Sequence, residues 1–312
     1  MKGEENPLHP SQRAARHPSP FFSEKEMIYL NGKFMPLEEA KISVMDRGFI
    51  FGDGVYELIP SYSGHPFRLK EHLRRLQVSL DGIRLKNPHS EAEWSKTIRE
   101  LIKLHKDVDQ AIYLQVTRGV GWKRDHALPK DAQPTVFIMS NPLVTPPAEQ
   151  LNNGVLGITA QDNRWLRCDL KTTSLLANVL LRQLALDSGA TETVLLRDGY
   201  LTEGSASNIF IVKNSVLLAP PKNNLILPGI TYDVVLELAA ENRLQREVRP
   251  ISEKELRSAD EIILTSSGKE ILAITQLDSR KVGDGKPGPI AKQIYKLYQD
   301  YKAKVMRMPD DR

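Results

Sequence analysis

The chain has a single cysteine, Cys168, in 312 residues. It can close no intramolecular disulfide, so stability must come from packing, and the composition fits a reducing compartment. Aromatics are sparse at 6%, and no stretch approaches the roughly 18 apolar residues of a membrane-spanning helix. An excess of one charge is missing too. The 43 Lys and Arg against 39 Asp and Glu leave +4, scattered along the chain rather than gathered into the basic stripe of a nucleic-acid binder. The sequence also lacks a Walker-type loop, an HExxH helix and paired cysteines, so the common nucleoside-triphosphate and zinc readings fail. Internal repeats and low-complexity tracts are absent as well. Residues 1–25 carry prolines and charges but no continuous apolar core of a secretory signal. The reading is a flexible extension, residues 1–26, ahead of a cytoplasmic globular protein.

With 40% hydrophobic residues there is matter for a substantial core, and the length points to two modest domains or one large one. MIYLNGKFMPL reads as a hairpin turning at Asn31-Gly32, and VYELI as a strand running to a turn at Ser63-Gly64. Leu69, Leu73, Leu76 and Leu80 then share one helical face with Arg74 and Arg75 beside it, and Trp94, Ile98, Leu101 and Leu104 repeat the pattern over 92–107. Strands AIYLQVTRG and TVFIMS complete a small domain, residues 27–140. NPLVTPPAEQ, residues 141–150, has three prolines and no periodicity and is taken as the linker. Beyond it lies a larger domain, 151–302, and a tail, 303–312. Its helix KTTSLLANVLLRQLALDSG is read with Leu176, Val179, Leu180 and Leu184 inward, and is followed by strands reversing at Asp198-Gly199 and Lys213-Asn214. Helices ITYDVVLELAAENRL and ISEKELRSA and the buried strand EIILTSS complete it. Closely spaced strands after one helix give an α+β, barrel-like second domain.

Two residues stand out chemically. Lys171 sits where an extended stretch meets the leucine-rich helix, a place where a desolvated amine at a fixed angle could attack an aldehyde, although alone it reads as an ordinary helix-start lysine. Glu203, in TEGSASN, is a carboxylate among hydroxyls, amides and a glycine, and alone it reads as a plain turn residue.

Together the motifs carry more. DRGFIFGDGVYE, EHLRRL, QVTRG, RDH, RWLRCDLK, LLRDGYLTEGSASNIF, NNLILPGITYDVV and EIILTSSGKE follow one another from about Met27 to Tyr301. In this order they resemble the fold-type IV pyridoxal-phosphate enzymes, the class IV aminotransferases, and within them look most like the D-amino-acid transaminase branch. The resemblance implies a two-domain α+β fold with the cofactor, pyridoxal 5'-phosphate, between a smaller N-terminal α/β domain and a larger barrel-like C-terminal one. It also implies a homodimer in which a loop of the neighbour helps close the substrate side.

Carried over by motif, Lys171 matches the Schiff-base lysine, which shuttles the proton between substrate α carbon and cofactor, and Glu203 the carboxylate that keeps the pyridine nitrogen protonated. Arg75 matches the phosphate arginine, and Ile230 and Thr231 the residues that meet the phosphate at a helix start. Ser267 matches a further phosphate hydroxyl, while Gly268 stands where the pattern has threonine and offers a backbone donor instead. Tyr56, Arg124 and His126 match the substrate-carboxylate trap of the D-specific branch, in a loop one residue longer than usual through Gly121-Trp122-Lys123. The implied reaction moves the amine of D-alanine or a similar D-amino acid to a 2-oxo acid such as 2-oxoglutarate by a ping-pong route. It requires no metal. Rivals on the same fold are a branched-chain L-amino-acid transaminase, an R-selective amine transaminase and an aminodeoxychorismate lyase. A cofactor-binding protein without turnover is disfavoured by Lys171 and Glu203 occurring together.

Overall fold

The computed structural model describes residues 26–309. The proposed N-terminal extension therefore lies, except for Glu26, outside the described residues, as do the last three residues of the tail. The first half of the chain builds a six-stranded sheet from β1 (Met27–Leu30), β2 (Lys33–Pro36), β3 (Gly54–Tyr62), β4 (His65–Pro66), β5 (Asp109–Thr117) and β6 (Thr135–Pro142), in the order β2-β1-β6-β5-β3-β4. All its pairings are antiparallel. Asn31-Gly32 and Ser63-Gly64 both take positive φ, the geometry a two-residue hairpin requires. In β5 burial alternates, with Ile112, Leu114 and Val116 inside. A short α1 (Arg47–Phe51), which the sequence reading passed over, sets Gly48 beside Thr117 at the end of β5, and the longer α2 (Leu69–Gly82) and α3 (Glu91–Leu104) pack against the buried face. Leu73, Leu76 and Leu80 meet Trp94, Ile98 and Leu101 in one core. Ser90 and Glu93 form a capping box that fixes where α3 begins. Leu104, expected inside, is exposed at the helix end.

The second half is a curled, half-barrel sheet of mixed direction, which bears out the α+β class. After α4 (Ala148–Asn153) come β7 (Val155–Gln161), α5 (Leu176–Asp187), β8 (Glu192–Arg197), β9 (Tyr200–Gly204), β10 (Asn208–Lys213), β11 (Val216–Ala219), α6 (Ile230–Glu241), β12 (Arg246–Val248), α7 (Glu253–Arg257), β13 (Glu261–Ser266), β14 (Glu270–Leu277), β15 (Arg280–Lys281) and α8 (Pro289–Tyr301). The strand order is β12-β11-β10-β13-β14-β7-β8-β9, with β15 on β14. Strands β10 and β13 are buried almost end to end because both faces are covered. Phe210, Val212 and Ile263 pack under α6 and α8, while Ile209, Ile211 and Leu264 face a second core that includes Leu256 of α7.

Several local expectations need correction. Leu176, Val179 and Leu180 are 72%, 58% and 60% exposed and Leu184 is exposed too, whereas Leu181 and Ala185 are the buried residues of α5. That apolar face is left uncovered within one chain. The helix also starts at Leu176 rather than Lys171. Residues 171–174 are held extended by tertiary bonds: Tyr56 N donates to Lys171 O (2.9 Å), Thr173 N to Gly54 O (3.0 Å), and the Thr173 and Ser174 hydroxyls to Gly52 O. The reversal after β10 falls at Asn214-Ser215, one residue later than read. In the stretch 141–150, Asn141 and Pro142 finish β6 and Ala148 starts α4.

Where β5 ends, the chain swings toward an exposed loop through Gly119, at φ +84, where a Cβ would lie 1.7 Å from the Gln133 carbonyl oxygen. Gly119→Ala is therefore expected to destabilise the protein by about 3 kcal/mol or more, read as a lowered urea midpoint at unchanged m-value.

Candidate active site

A cavity of about 600 Å³ opens between the two sheets, large enough for a cofactor-sized ligand with a small substrate. Lys171 stands in its wall, half-buried. Its backbone is pinned from both sides: its N–H donates to Ser79 Oγ of α2 (3.1 Å), and its carbonyl accepts from Tyr56 of β3. The side chain is thereby aimed across Tyr56, with Nζ 4.1 Å from the centre of the ring. Among the described residues no carboxylate takes this ammonium, so it remains available to a ligand.

Glu203 lies on another wall, buried on β9. Its Oε1 accepts from Arg164 Nη1 (2.5 Å), and its Oε2 from Asn208 Nδ2 and Leu227 N (both 3.1 Å). Arg164 is shared, because Asp162 takes its Nε and Nη2 in a fork at 2.9 Å. Asp162 also accepts from Arg197 and Thr202. Burial pushes Glu203 up to about 7 even with Arg164 beside it, whereas Asp162, with the better share of that guanidinium, is held below the usual carboxylate range. Glu203 is thus a buried carboxylate that would gain from a further cationic partner.

A third group of residues forms an anion site. Arg75, buried on α2, gives Nε and Nη2 to Glu57 (2.8 Å each) and Nη1 to Pro228 O (3.0 Å), just before α6 begins. Two of its five N–H donors remain unspent. Burial alone would raise Glu57, but Arg75 and the His72 ring, whose Nδ1 lies 2.8 Å away, hold it far below the usual range. The bond to Pro228 ties the guanidinium to the N-terminus of α6, so Ile230 and Thr231 line the same cavity. Gly229 permits the approach: a Cβ there would lie 2.0 Å from Asn208 Oδ1. Ser267 and Gly268 line the cavity on the turn between β13 and β14, and a Cβ on Gly268 would meet no atom within 4 Å. Thr265 Oγ1, buried in this wall, has no hydrogen-bond partner.

An unengaged amine, a buried carboxylate and an anion cradle around one cavity fit a phosphorylated pyridine aldehyde. Cys168 is in the same wall; its thiol donates to Trp165 O (3.1 Å), and burial pushes it up to about 11.

The family described as amino-transferase class IV matches residues 54–277. A D-alanine aminotransferase of Bacillus licheniformis is 41% identical over 273 residues, 88% of this chain and 96% of its own. The chain belongs to the class IV aminotransferases. A second relative of this aminotransferase, a D-alanine aminotransferase of Staphylococcus aureus strain MW2, is 38% identical over 276 residues, 88% of this chain and 98% of its own. Among solved structures, the Escherichia coli branched-chain amino acid aminotransferase superposes at TM-score 0.83 with 28% identity, covering 93% of this chain and 97% of that one. The branched-chain enzyme of T.th., solved with pyridoxamine 5'-phosphate, also superposes at 0.83 with 28% identity, covering 92% and 96%. Class IV aminotransferases use pyridoxal 5'-phosphate.

Of the site residues expected from sequence, Lys171, Glu203, Arg75, Ile230, Thr231, Ser267, Gly268 and Tyr56 all line the one cavity. Arg124 and His126 do not. They sit in an exposed loop, each against the ring of Phe51 at 5.3 Å, and Trp122 beside them is 93% exposed. The aminotransferase anchors this loop through buried Arg47, which donates to Asp125 O (2.6 Å) and Asp53 (2.8 Å). Sequence reading missed Glu57, Arg164 and Asn208, though all three lie inside motifs it quoted: GVYE, RWLRCDLK and TEGSASN. The signal was an unexplained polar or charged residue in the same motif as an assigned one.

Glu203 gives a pH test. Its raised folded value means the cofactor-free protein gains stability from it below about pH 4.5 and loses that contribution as pH rises through about 7. In the cofactor-free protein, Glu203→Gln should flatten the fall in stability between those limits by roughly 1–3 kcal/mol. Urea unfolding of both proteins across the window checks this, and parallel curves would remove the raised value.

Proposed function

We propose that this aminotransferase is a D-amino-acid transaminase that moves the amine of D-alanine, or a similar D-amino acid, to a 2-oxo acid such as 2-oxoglutarate. The observation that carries the reading is the single cavity in which Lys171, Glu203 and the Arg75–α6 anion cradle meet, in a chain whose near full-length relatives are D-alanine aminotransferases. Pyridoxal 5'-phosphate, when bound, supplies the electron-accepting ring on which amine transfer depends. Arg75, the start of α6 at Ile230 and Thr231, Ser267 and the Gly268 backbone grip its phosphate. Glu203 keeps a proton on the pyridine nitrogen, and burial strengthens that pairing. With the cofactor bound, Nζ of Lys171 would take the proton from the substrate α carbon and then give it up again, as general base and then general acid. The Tyr56 ring, its centre 4.1 Å from Nζ, limits where the amine can swing.

Handedness rests on the carboxylate trap. Because Arg124 and His126 lie outside the cavity of their own chain, we assign them to the cavity of a second copy, in a homodimer that covers the apolar face of Leu176, Val179 and Leu180. There the Arg124 fork would clamp the substrate carboxylate and fix which face of the α carbon meets Lys171.

The test of the reaction is the absorption spectrum of the loaded protein with D-alanine and, separately, with L-leucine. Conversion to the pyridoxamine form by D-alanine alone is the expected result, whereas a response only to L-leucine would move the assignment to the branched-chain enzymes. The dimer arrangement is tested by complementation. Arg124→Leu and Lys171→Ala should each be nearly inactive, but unfolded and refolded together they should recover about a quarter of wild-type activity, since half the dimers are mixed and one of their two sites is whole. Activity that stays at background would place Arg124 elsewhere.

A further inference from the structure

The turn that carries Ser267 and Gly268 has an unusual hinge. Residues 267–269 connect β13 to β14, and the first residue after them, Glu270, has φ +52. That left-handed position favours glycine or asparagine, and a glutamate there is strained. Something must hold it. The Glu270 side chain is buried, and both its oxygens are taken from the C-terminal end of the chain: Oε1 accepts from Lys302 Nζ (2.6 Å) and Oε2 from Gln299 Nε2 (2.7 Å). Lys302 is itself buried, with its ammonium 5.1 Å from the centre of the Tyr62 ring at the end of β3. Residues 302–306 continue α8 as a wider π turn, and Arg307 beyond it forks onto Asp109 at the head of β5 (2.7 and 2.6 Å) and donates to Ser63 (2.9 Å).

On the other side of the same turn, Lys269 Nζ pairs with buried Glu192 (2.8 Å), which also accepts from the Ser205 and Ser207 hydroxyls. Lys269 of the turn and Glu270 next to it are therefore each held by an ion pair, one to β8 and one to the C-terminal segment. That segment is in turn fastened to the first sheet.

We propose that the C-terminal segment 299–307 is a positioning device for the cofactor phosphate: through Lys302 and Gln299 it holds Glu270 in its left-handed conformation and so sets Ser267 and Gly268 at the phosphate. Lys302 is a positioning residue, acting through Glu270. The proposal rests on the assignment of the cradle to phosphate.

The test is calorimetric titration of the cofactor-free, full-length protein with pyridoxal 5'-phosphate and with pyridoxal, which has no phosphate. Lys302→Met should weaken pyridoxal 5'-phosphate binding about tenfold and leave pyridoxal within about twofold, while Lys302→Arg restores much of the loss. Ile98→Ala, a core truncation in α3, serves as the control for lost stability and should change neither affinity selectively. A wild-type protein that binds both ligands equally would overturn the phosphate assignment, and the proposal with it. A wild-type preference for the phosphorylated ligand that Lys302→Met leaves intact, or an equal weakening of both ligands, overturns the proposal alone. Should Lys302→Met fail to fold, Gln299→Leu cuts the other bond to Glu270 and is expected to show the same selective loss, about threefold.

Discussion

The site depends on the splice that lays residues 171–174 along the leading end of β3. Backbone groups of Gly54 and Tyr56 in the first sheet bond to Thr173 and Lys171 of the second half, and Thr172 bridges Val55. A lysine on a free helix start would sweep a wide volume. Held as a short strand against β3, Lys171 has a fixed Cα and a ring beneath its amine, and the cavity acquires a direction. The same splice keeps Thr172, Thr173 and Ser174, whose helix propensity is low, out of the helix that begins at Leu176.

Around that splice, charges are buried in unequal shares. Glu57 receives the full fork of Arg75 and stays ionised, which leaves Arg75 oriented with donors to spare. Glu203 receives one nitrogen of an arginine whose fork belongs to Asp162, so it is left short of positive charge. Two buried carboxylates near one cavity thus take different roles from the way their arginines are divided. One arginine is built to meet an anion and one carboxylate to meet a cation, which is the polarity of a ring with a phosphate at one end and a protonated nitrogen at the other.

Much of this was legible in the sequence, for definable reasons. The hairpins at Asn31-Gly32, Ser63-Gly64 and Asp198-Gly199 were readable because each turn demands positive φ at adjacent residues, and few residue types supply it. The α2 and α3 faces were readable, apart from Leu104, because Leu73, Leu76, Leu80, Trp94, Ile98 and Leu101 pack within the chain. The face of α5 was misread because periodicity reports that a stripe is apolar, not what covers it, and Leu176, Val179 and Leu180 remain bare. Of the expected site, the residues on β3, α2, β9 and α6 come together, while Arg124 and His126 do not. No spacing rule could reveal that, since it depends on where a loop projects. Arg164 escaped notice because its value lies in whom it pairs with, and Glu203 is brought to it only by the fold.

The cavity wall also imposes chemical discipline. A cavity that handles an aldehyde should hold one competent nucleophile, yet here a thiol stands three residues from the amine. Cys168 is kept protonated by burial and turned onto the Trp165 carbonyl, so it offers almost no thiolate at neutral pH. The aldehyde is left to the amine, and sulfur adducts that would sequester the cofactor are suppressed by burial and by the bond to Trp165.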